Sequence, residues 1–314
     1  MFSFSTVLYN FSIIFQLDAA LNPKIFYRFR NCKTFFPNIT HCFDFFCGDF
    51  SKAELYYINI YCKTGKPVGD PATTPEKIME KNLYSRILLK LSGETLNNAS
   101  GNGYDPESCR FVAERVKFLL DAGVEVAIVV GAGNLWRGAG AASEMNRVDA
   151  DKMGMLATTM NAITIKNYCN AIGIPVLLQC AIPTGGFLPV YDRENSIKAL
   201  ESGKLVVFAG GTGNPFFTTD TASVLRALET ECDAVFKATK VDGIYSADPK
   251  KFPDAVRYDE LSYDEALDHR LKVMDASAFS LCRDHSLPIV VFDFFTADLG
   301  EVLAGNTACG TIVR

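Results

Sequence analysis

Leu205-Val206-Val207-Phe208-Ala209-Gly210-Gly211-Thr212-Gly213-Asn214-Pro215-Phe216-Phe217-Thr218-Thr219-Asp220 is the stretch whose reading decides the fold. Its first five residues are uniformly apolar and read as a buried strand. The glycine-rich segment reads as a turn, and the pattern over 221–228 as a helix. Backbone N–H groups at such a turn point outward beside the positive end of a helix dipole, an arrangement that holds an anionic group, most often a phosphate. Two aromatics and three threonines in the turn add a surface for a planar ring and hydroxyls to bond it.

The same unit recurs on both sides. Upstream, Arg86-Ile87-Leu88-Leu89-Lys90-Leu91 reads as a buried strand running into Ser92-Gly93-Glu94. Asp105-Pro106-Glu107 opens a helix with an N-cap, a proline at the first position and an acid in the first turn. Phe111, Val112, Val116, Leu119 and Leu120 give that helix its apolar stripe, and Gly123 closes it. Residues 124–130 are nearly all apolar, as a sheet covered on both faces requires. They lead into a second glycine-rich turn, Gly131-Ala132-Gly133-Asn134-Leu135-Trp136-Arg137-Gly138-Ala139-Gly140. A long helix is expected over 149–171, a strand over 174–178 and a helix over 193–201. Beyond the opening stretch come a strand over 234–239 and a long polar loop over 240–259. Ser262-Tyr263-Asp264-Glu265 is a capping box for a short helix. A helix from Asp275 and strands over 288–294 and 311–314 complete the chain.

Strands alternating with helices imply an α/β fold, a three-layer α/β/α sandwich with a mostly parallel central sheet. Ligands in such sheets sit beyond the carboxyl ends of the strands. Lys90, the 131–137 turn, the 210–220 turn and Lys240 onward all follow strand C-termini, so four loops are expected to form a single site on one rim.

Composition excludes several classes. A net charge of −5 leaves no footprint for a nucleic-acid backbone. With 48% hydrophobic and 21% charged residues the chain reads as a soluble globular protein. Ten cysteines (Cys32, Cys42, Cys47, Cys62, Cys109, Cys169, Cys180, Cys232, Cys282, Cys309) are scattered without a Cys-x-x-Cys pair. Cys42 and Cys47 beside His41 lack a second ligand pair, so the thiols are read as free, in a reducing cytoplasmic compartment. His41, His269 and His285 have no Ser or Cys partner in a hydrolase motif.

Residues 1–78 differ from the rest: twelve of the 24 phenylalanines precede residue 51. The apolar run over 7–15 is broken by Asn10 and Ser12 and is too short to span a membrane. This segment is expected to be a poorly ordered extension or the product of a mis-assigned start, with Met79 as the first residue instead and 65–75 as a linker. Arg28, Arg30 and Lys33 leave an organelle-targeting role open.

No Gly-x-x-x-x-Gly-Lys-Ser/Thr occurs, nor a dinucleotide-type glycine fingerprint opening a helix. Two anion-cradling turns with Lys90 and Arg137 suit two phosphorylated molecules held face to face. Phosphoryl transfer needs alignment and neutralised charge more than covalent help. Asp220 or Asp275 either holds Mg²⁺ or orients Lys90, and both positions also suit helix N-caps. Trp136 is read as packing.

Six blocks in order carry a resemblance. They are Lys90-Leu91-Ser92-Gly93-Glu94, Gly133-Asn134-Leu135-Trp136-Arg137-Gly138-Ala139-Gly140, Asp151-Lys152-Met153-Gly154-Met155-Leu156-Ala157-Thr158, the turn from Thr212 to Asp220, Lys237-Ala238-Thr239-Lys240-Val241-Asp242-Gly243-Ile244-Tyr245-Ser246-Ala247-Asp248-Pro249, and Lys272-Val273-Met274-Asp275. With them, residues 84–314 resemble the bacterial-type uridylate (UMP) kinases of the amino-acid-kinase superfamily. The resemblance implies direct in-line transfer of the γ-phosphoryl group of ATP to UMP, giving UDP for pyrimidine nucleotide biosynthesis. It also implies Mg²⁺ with ATP, a homohexamer, activation by GTP and inhibition by UTP. By motif position it places Lys90, Leu91, Ser92, Gly93, Gly133 and Arg137 on the ATP phosphates, and Thr239, Tyr245 and Asp248 around the adenine nucleoside. It places Asp151 on the UMP ribose, and Thr212, Gly213, Asn214, Pro215, Phe216, Phe217, Thr218 and Thr219 on uracil and its phosphate. Lys90, Arg137, Asp220 and Asp275 form the catalytic set. Residues 79–314 would then be one catalytic domain, its N-terminal half binding the acceptor and its C-terminal half ATP.

Ala132 departs from the family's usual run of three glycines. Its N–H is still expected to face UMP, which requires a negative φ. Two rivals carry other functions. A carboxylate kinase of the same fold is disfavoured by the Thr-Gly-Asn-Pro-Phe-Phe-Thr-Thr block, and a nucleotide-binding regulator without catalysis by the intact Lys90, Arg137 and Asp275.

Overall fold

The computed structural model describes residues 82–97, 103–136, 145–249, 251–252, 254–269, 271 and 274–314. The expectations for residues 1–78, for Met79 and for Arg137, Gly138, Gly140, Lys272 and Val273 lie outside these residues. The chain divides into two units, Met1–Pro71 and Ala72–Arg314, and every described residue belongs to the second.

In chain order the elements are β1 (Arg86–Leu91), a 3-10 turn (Gly93–Leu96), α1 (Pro106–Asp121), β2 (Glu125–Val130), α2 (Arg147–Ala171), β3 (Val176–Cys180), α3 (Arg193–Glu201), β4 (Leu205–Ala209), α4 (Thr219–Glu229) and β5 (Ala234–Thr239). Then follow β6 (Ile244–Tyr245), β7 (Arg257–Tyr258), β8 (Glu260–Leu261), α5 (Tyr263–Asp268), α6 (Ala276–Asp284), β9 (Ile289–Asp293), α7 (Leu299–Leu303), a 3-10 turn (Thr307–Cys309) and β10 (Thr311–Val313). Eight strands form one sheet in the order β3-β4-β2-β1-β5-β9-β10-β8. All pairings in it are parallel except β10 with β9.

Alternation along the strands sets the layers, because successive side chains face opposite sides of a sheet. Ile87, Leu89 and Leu91, with Val126, Ile128 and Val130, pack with Val112 and Val116 of α1 and Ala162 and Ile165 of α2. Leu88, Ala127, Val129 and Val235 face the other way, onto Ala222 and Val224 of α4 and Phe279 of α6. Two apolar layers on opposite faces give the expected three-layer sandwich. Positions 90 and 237 continue the second face, so both lysines project toward α4.

The chain builds β1 to β4 on one side of β1 and then crosses to place β5 on the other. The crevice beyond such a reversal is where open α/β sheets take their ligands. Lys90 and Lys237 are register partners there.

Several boundaries differ from the sequence reading. The 240–259 segment, expected as loop, contains the antiparallel pair β6 and β7. Buried Ile244 is anchored by its N–H to Thr311 Oγ1 at 2.8 Å, a contact from far along the chain. Helix α2 starts at Arg147 rather than Asp149, because Asn146 caps it by accepting from Val148 N at 2.9 Å. Strand β3 lies two residues later than expected, in register with β4 from Val176↔Leu205 to Cys180↔Ala209. The capping box at Ser262 and Glu265 is formed in both directions. Among the described residues no helix is long and apolar enough to cross a membrane.

Candidate active site

The turns after β1 and β2 interlock. Gly131 N donates to Leu91 O at 2.9 Å. A Cβ on Gly93 would stand 2.5 Å from Asn134 Oδ1, 2.6 Å from Gly131 O and 2.7 Å from Gly133 N, so only glycine lets the turns touch. Behind them, fully buried Asn134 and Asn161 exchange amide hydrogen bonds of 3.1 and 2.7 Å, and Asn161 also donates to Gly131 O at 2.7 Å. This pair holds the second turn against α2. Ser92 Oγ accepts from Glu94 N at 3.3 Å and caps the 3-10 turn. Ala132 accommodates its methyl group: positive φ among described non-glycine residues is confined to Phe216, Glu231 and Ser286. Trp136 Nε1 donates to Ala150 O at 2.9 Å, a packing role.

The charged centre lies between these turns and α4. Asp220 receives Lys90 Nζ at Oδ1 and Lys237 Nζ at Oδ2, each at 2.8 Å. Burial works to raise the Asp220 carboxyl, but the two ammonium groups outweigh it and its pKa lies below the ordinary value. Burial, reinforced by repulsion from Lys90, lowers Lys237 despite the opposing pull of Asp220 and Asp275.

Capping is divided differently from the sequence reading. Thr218, not Asp220, caps α4, its Oγ1 accepting from Asp220 N at 3.1 Å and Thr221 N at 3.4 Å. Asp275 does cap α6, with Oδ1 accepting from Ala278 N at 2.8 Å. Asp275 Oδ2 also accepts from Thr218 Oγ1 and, at 2.9 Å, from Thr221 Oγ1. One carboxylate thus ties the starts of α4 and α6 together.

The turn after β4 is moulded on α2. Asp151 accepts from Arg147 Nε at 2.9 and 2.8 Å and from Phe216 N at 2.8 Å. Phe216 has φ 72°, an uncommon conformation for a bulky residue, and with Phe217 it is exposed. Gly210 and Gly213 have φ 77° and 79°, and a Cβ at either would come within 3.1 Å of Cys180 or Ala181. Thr212 Oγ1 accepts from Asn214 N at 3.1 Å, and Pro215 follows in the turn. Thr219 Oγ1 faces Gly131.

Beyond β5, Thr239 Oγ1 donates to Val241 O at 2.5 Å, Tyr245 OH donates to Asp242 Oδ1 at 2.7 Å, and Asp248 O accepts from Lys251 N at 3.0 Å. Lys240 Nζ meets Glu94 Oε2 at 3.2 Å, linking the turns after β5 and β1.

Along the rim, sheet order places the 210–220 turn, the 131–136 turn, Lys90 and the Thr239 segment one after another. Lys90, Gly93, Gly131, Gly133, Thr218, Thr219, Asp220 and Asp275 come together around the β1/β5 crevice. Asp151 and Phe216 lie on its β4 side, and Thr239, Tyr245 and Asp248 follow β5. Lys237 and Asn161 carried no role in the sequence reading. The signal for Lys237 was a lysine inside the apolar strand Ala-Val-Phe-Lys-Ala-Thr, since a buried lysine requires a partner. Asn161 had no signal of its own.

Among the described residues no three His, Cys, Asp or Glu side chains cluster to hold a metal. Both oxygens of Asp220 meet lysines, and those of Asp275 meet hydroxyls and an N–H. Cys109 and Cys169 are free and buried, and burial pushes their thiols up to about 11 and about 12.

A model of the amino acid kinase family matches residues 85–293, which run from β1 to the end of β9. A uridylate kinase of Pseudoalteromonas atlantica is 48% identical over 243 residues, covering 77% of this chain and 96% of its own length. One from Colwellia psychrerythraea is 51% identical over 235 residues, 74% of this chain and 95% of its own. The crystal structure of UMP kinase from Bacillus anthracis matches with a TM-score of 0.71 at 34% identity, over 74% of this chain and 96% of that one. The β1–β9 rim and its loops therefore lie within the shared region, and the chain belongs to the amino acid kinase family, among its uridylate kinases.

Proposed function

We propose that the protein transfers the γ-phosphoryl group of ATP to UMP, giving ADP and UDP, by direct in-line displacement. The observation that carries this reading is the Lys90–Asp220–Lys237 centre set between two glycine-rich turns at the β1/β5 crevice. ATP phosphates rest on the turns at Ser92–Gly93 and Gly133, with Arg137 assigned beside them and Thr239, Tyr245 and Asp248 around the adenosine. UMP lies in the 212–219 turn, its ribose on Asp151 and its phosphate near the Ala132 N–H. An oxygen of the UMP phosphate attacks the γ-phosphorus while the bond to the bridging oxygen of ADP breaks. The nucleophile is already anionic, so no base has to remove a proton. What the protein supplies is alignment and positive charge, and Lys90 is placed to give it.

Mg²⁺ supplies charge neutralisation on the phosphates when bound. Asp220 and Asp275 are the carboxylates nearest the centre, but their oxygens already meet lysines, hydroxyls and an N–H, so the ion would be held chiefly by the nucleotide phosphates. A homohexamer fits the exposed Met153, Leu156 and Met160, an apolar stripe at helical spacing on α2. UTP shares the uridine of UMP and so can compete for its seat. Buried free thiols accord with a cytoplasmic setting.

A coupled ADP-release assay with UMP, CMP and aspartate tests the reading. UMP is expected to be strongly preferred, and equal turnover of aspartate or none with UMP overturns it. Lys90→Ala is expected to lower kcat by about 10²–10³-fold while UMP KM moves only a few-fold. An unchanged kcat removes the role given to Lys90.

A further inference from the structure

We propose that Thr311, on β10, is a positioning residue for the donor nucleotide: its hydroxyl fixes the β6–β7 pair that presents Tyr245 and Asp248 to the adenosine. The inference rests on the kinase reading above, which seats ATP on those two residues.

β6 and β7 are two residues each, and an isolated two-stranded ribbon is marginal in water. Ser246 N donates to Val256 O at 2.9 Å, so by antiparallel alternation the next bonded pair is Ile244 with Tyr258. At that pair the Thr311 hydroxyl lies between the strands. Its Oγ1 accepts from Ile244 N at 2.8 Å and donates to Tyr258 O at 2.5 Å. One side-chain oxygen thus bridges both register partners. Thr311 is fully buried, and β10 is held by β9 and β8, so the anchor belongs to the sheet rather than to the loop. Gly243 permits the approach, because a Cβ there would stand 2.5 Å from Thr311 Oγ1 and 3.0 Å from Arg257 Cδ. Arg257 adds a second tie, donating to Asp242 O at 3.2 Å and to Gly310 O at 3.4 Å. Valine has the shape of threonine but neither accepts nor donates, so the strands would have to shift for Ile244 N and Tyr258 O to find other partners. Tyr245 follows Ile244 directly and moves with it. The acceptor turn follows β4, on the other side of β1 from β10, so a fault at Thr311 falls on ATP and leaves UMP alone.

The test measures ATP affinity by equilibrium titration and KM for both substrates by ADP release, on the full chain. Thr311→Val is expected to weaken ATP binding and raise ATP KM by about tenfold, with UMP KM within about twofold. Thr311→Ser keeps the hydroxyl and is expected to return both ATP values to within about twofold of wild type. A merely structural role lowers the melting temperature and the active fraction but leaves both KM values in place. Where the valine variant does not fold, Gly243→Ala, which drives the pair and β10 apart with the hydroxyl intact, is expected to give the same ATP-selective loss. ATP KM and affinity within about twofold of wild type in the variant overturn the inference. So does an equal rise in UMP KM, or a serine variant no better than the valine one. A wild type that binds ATP but does not phosphorylate UMP overturns the kinase reading instead, and the titration still decides the role of Thr311.

Discussion

One missing side-chain carbon at residue 93 permits the two phosphate turns to meet. A Cβ there would press on Gly131 O and Gly133 N, both backbone, at 2.6 and 2.7 Å, so the strain has no flexible side chain to absorb it. Gly93→Ala must part the turns, and displacements on the order of 1 Å at a reacting centre cost about 10²-fold in rate. The expected result is a fall in kcat/KM for ATP of about that size, with a stability loss of about 1–3 kcal/mol from overpacking. Steady-state kinetics with a denaturation curve check both, and wild-type kinetics would remove the close approach from the mechanism. Glycine-rich turns were legible in the sequence as anion cradles. Which glycine is indispensable was not, because that depends on a neighbour forty residues away. Asn161 was hidden for the same reason: it is one polar residue within a long helix until Gly131 O and Asn134 are placed beside it.

Helix starts show where local pattern and tertiary need part company. Asp275 was legible as a cap and is one, yet it also collects the hydroxyls of Thr218 and Thr221 from the start of α4. The two duties separate by substitution. Asparagine caps about as well as aspartate, whereas alanine loses about 1 kcal/mol at an N-cap. Asp275→Asn is therefore expected to melt near the wild-type temperature and Asp275→Ala several degrees lower, about what a 1 kcal/mol loss produces in a domain of this size. Both are expected to lose kcat, because both remove the charge that faces Lys237. An Asp275→Asn enzyme with full kcat would reduce Asp275 to a cap. Asp220 also suited a cap by its place before a helical pattern, but it does not serve as one. Thr218 enters the helix with extended φ −93° and ψ 174° and takes the position, which leaves the aspartate to the lysines. The two-residue strands β6 and β7 escaped notice because their anchor is Thr311.

At the scale of the whole molecule, the alternation of strands and helices disclosed the layers, but not that β5 lies against β1. That adjacency brings two lysines together, and with them a pH dependence of stability. Burial and Lys90 lower the pKa of Lys237 below its ordinary 10.5, so the unfolded chain binds this proton more tightly than the folded one. Between the lowered folded value and 10.5 the unfolded state carries more protons. Stability from this group therefore rises with pH through that window and is least below it. Asp220 behaves in the other direction on the acid side: its lowered pKa contributes stability above about pH 4 that is lost as pH falls through the folded value. Lys237→Met deletes the alkaline component and, by removing one of the two ammonium groups that hold Asp220 down, also weakens the acid one. Its melting temperature relative to wild type is expected to be most favourable near pH 7 and to decline steadily as pH approaches 10.5, read from calorimetric scans at matched ionic strength. A difference that stays flat across that range, or grows with pH, would mean that the protonated lysine is as much at ease in the folded centre as in water.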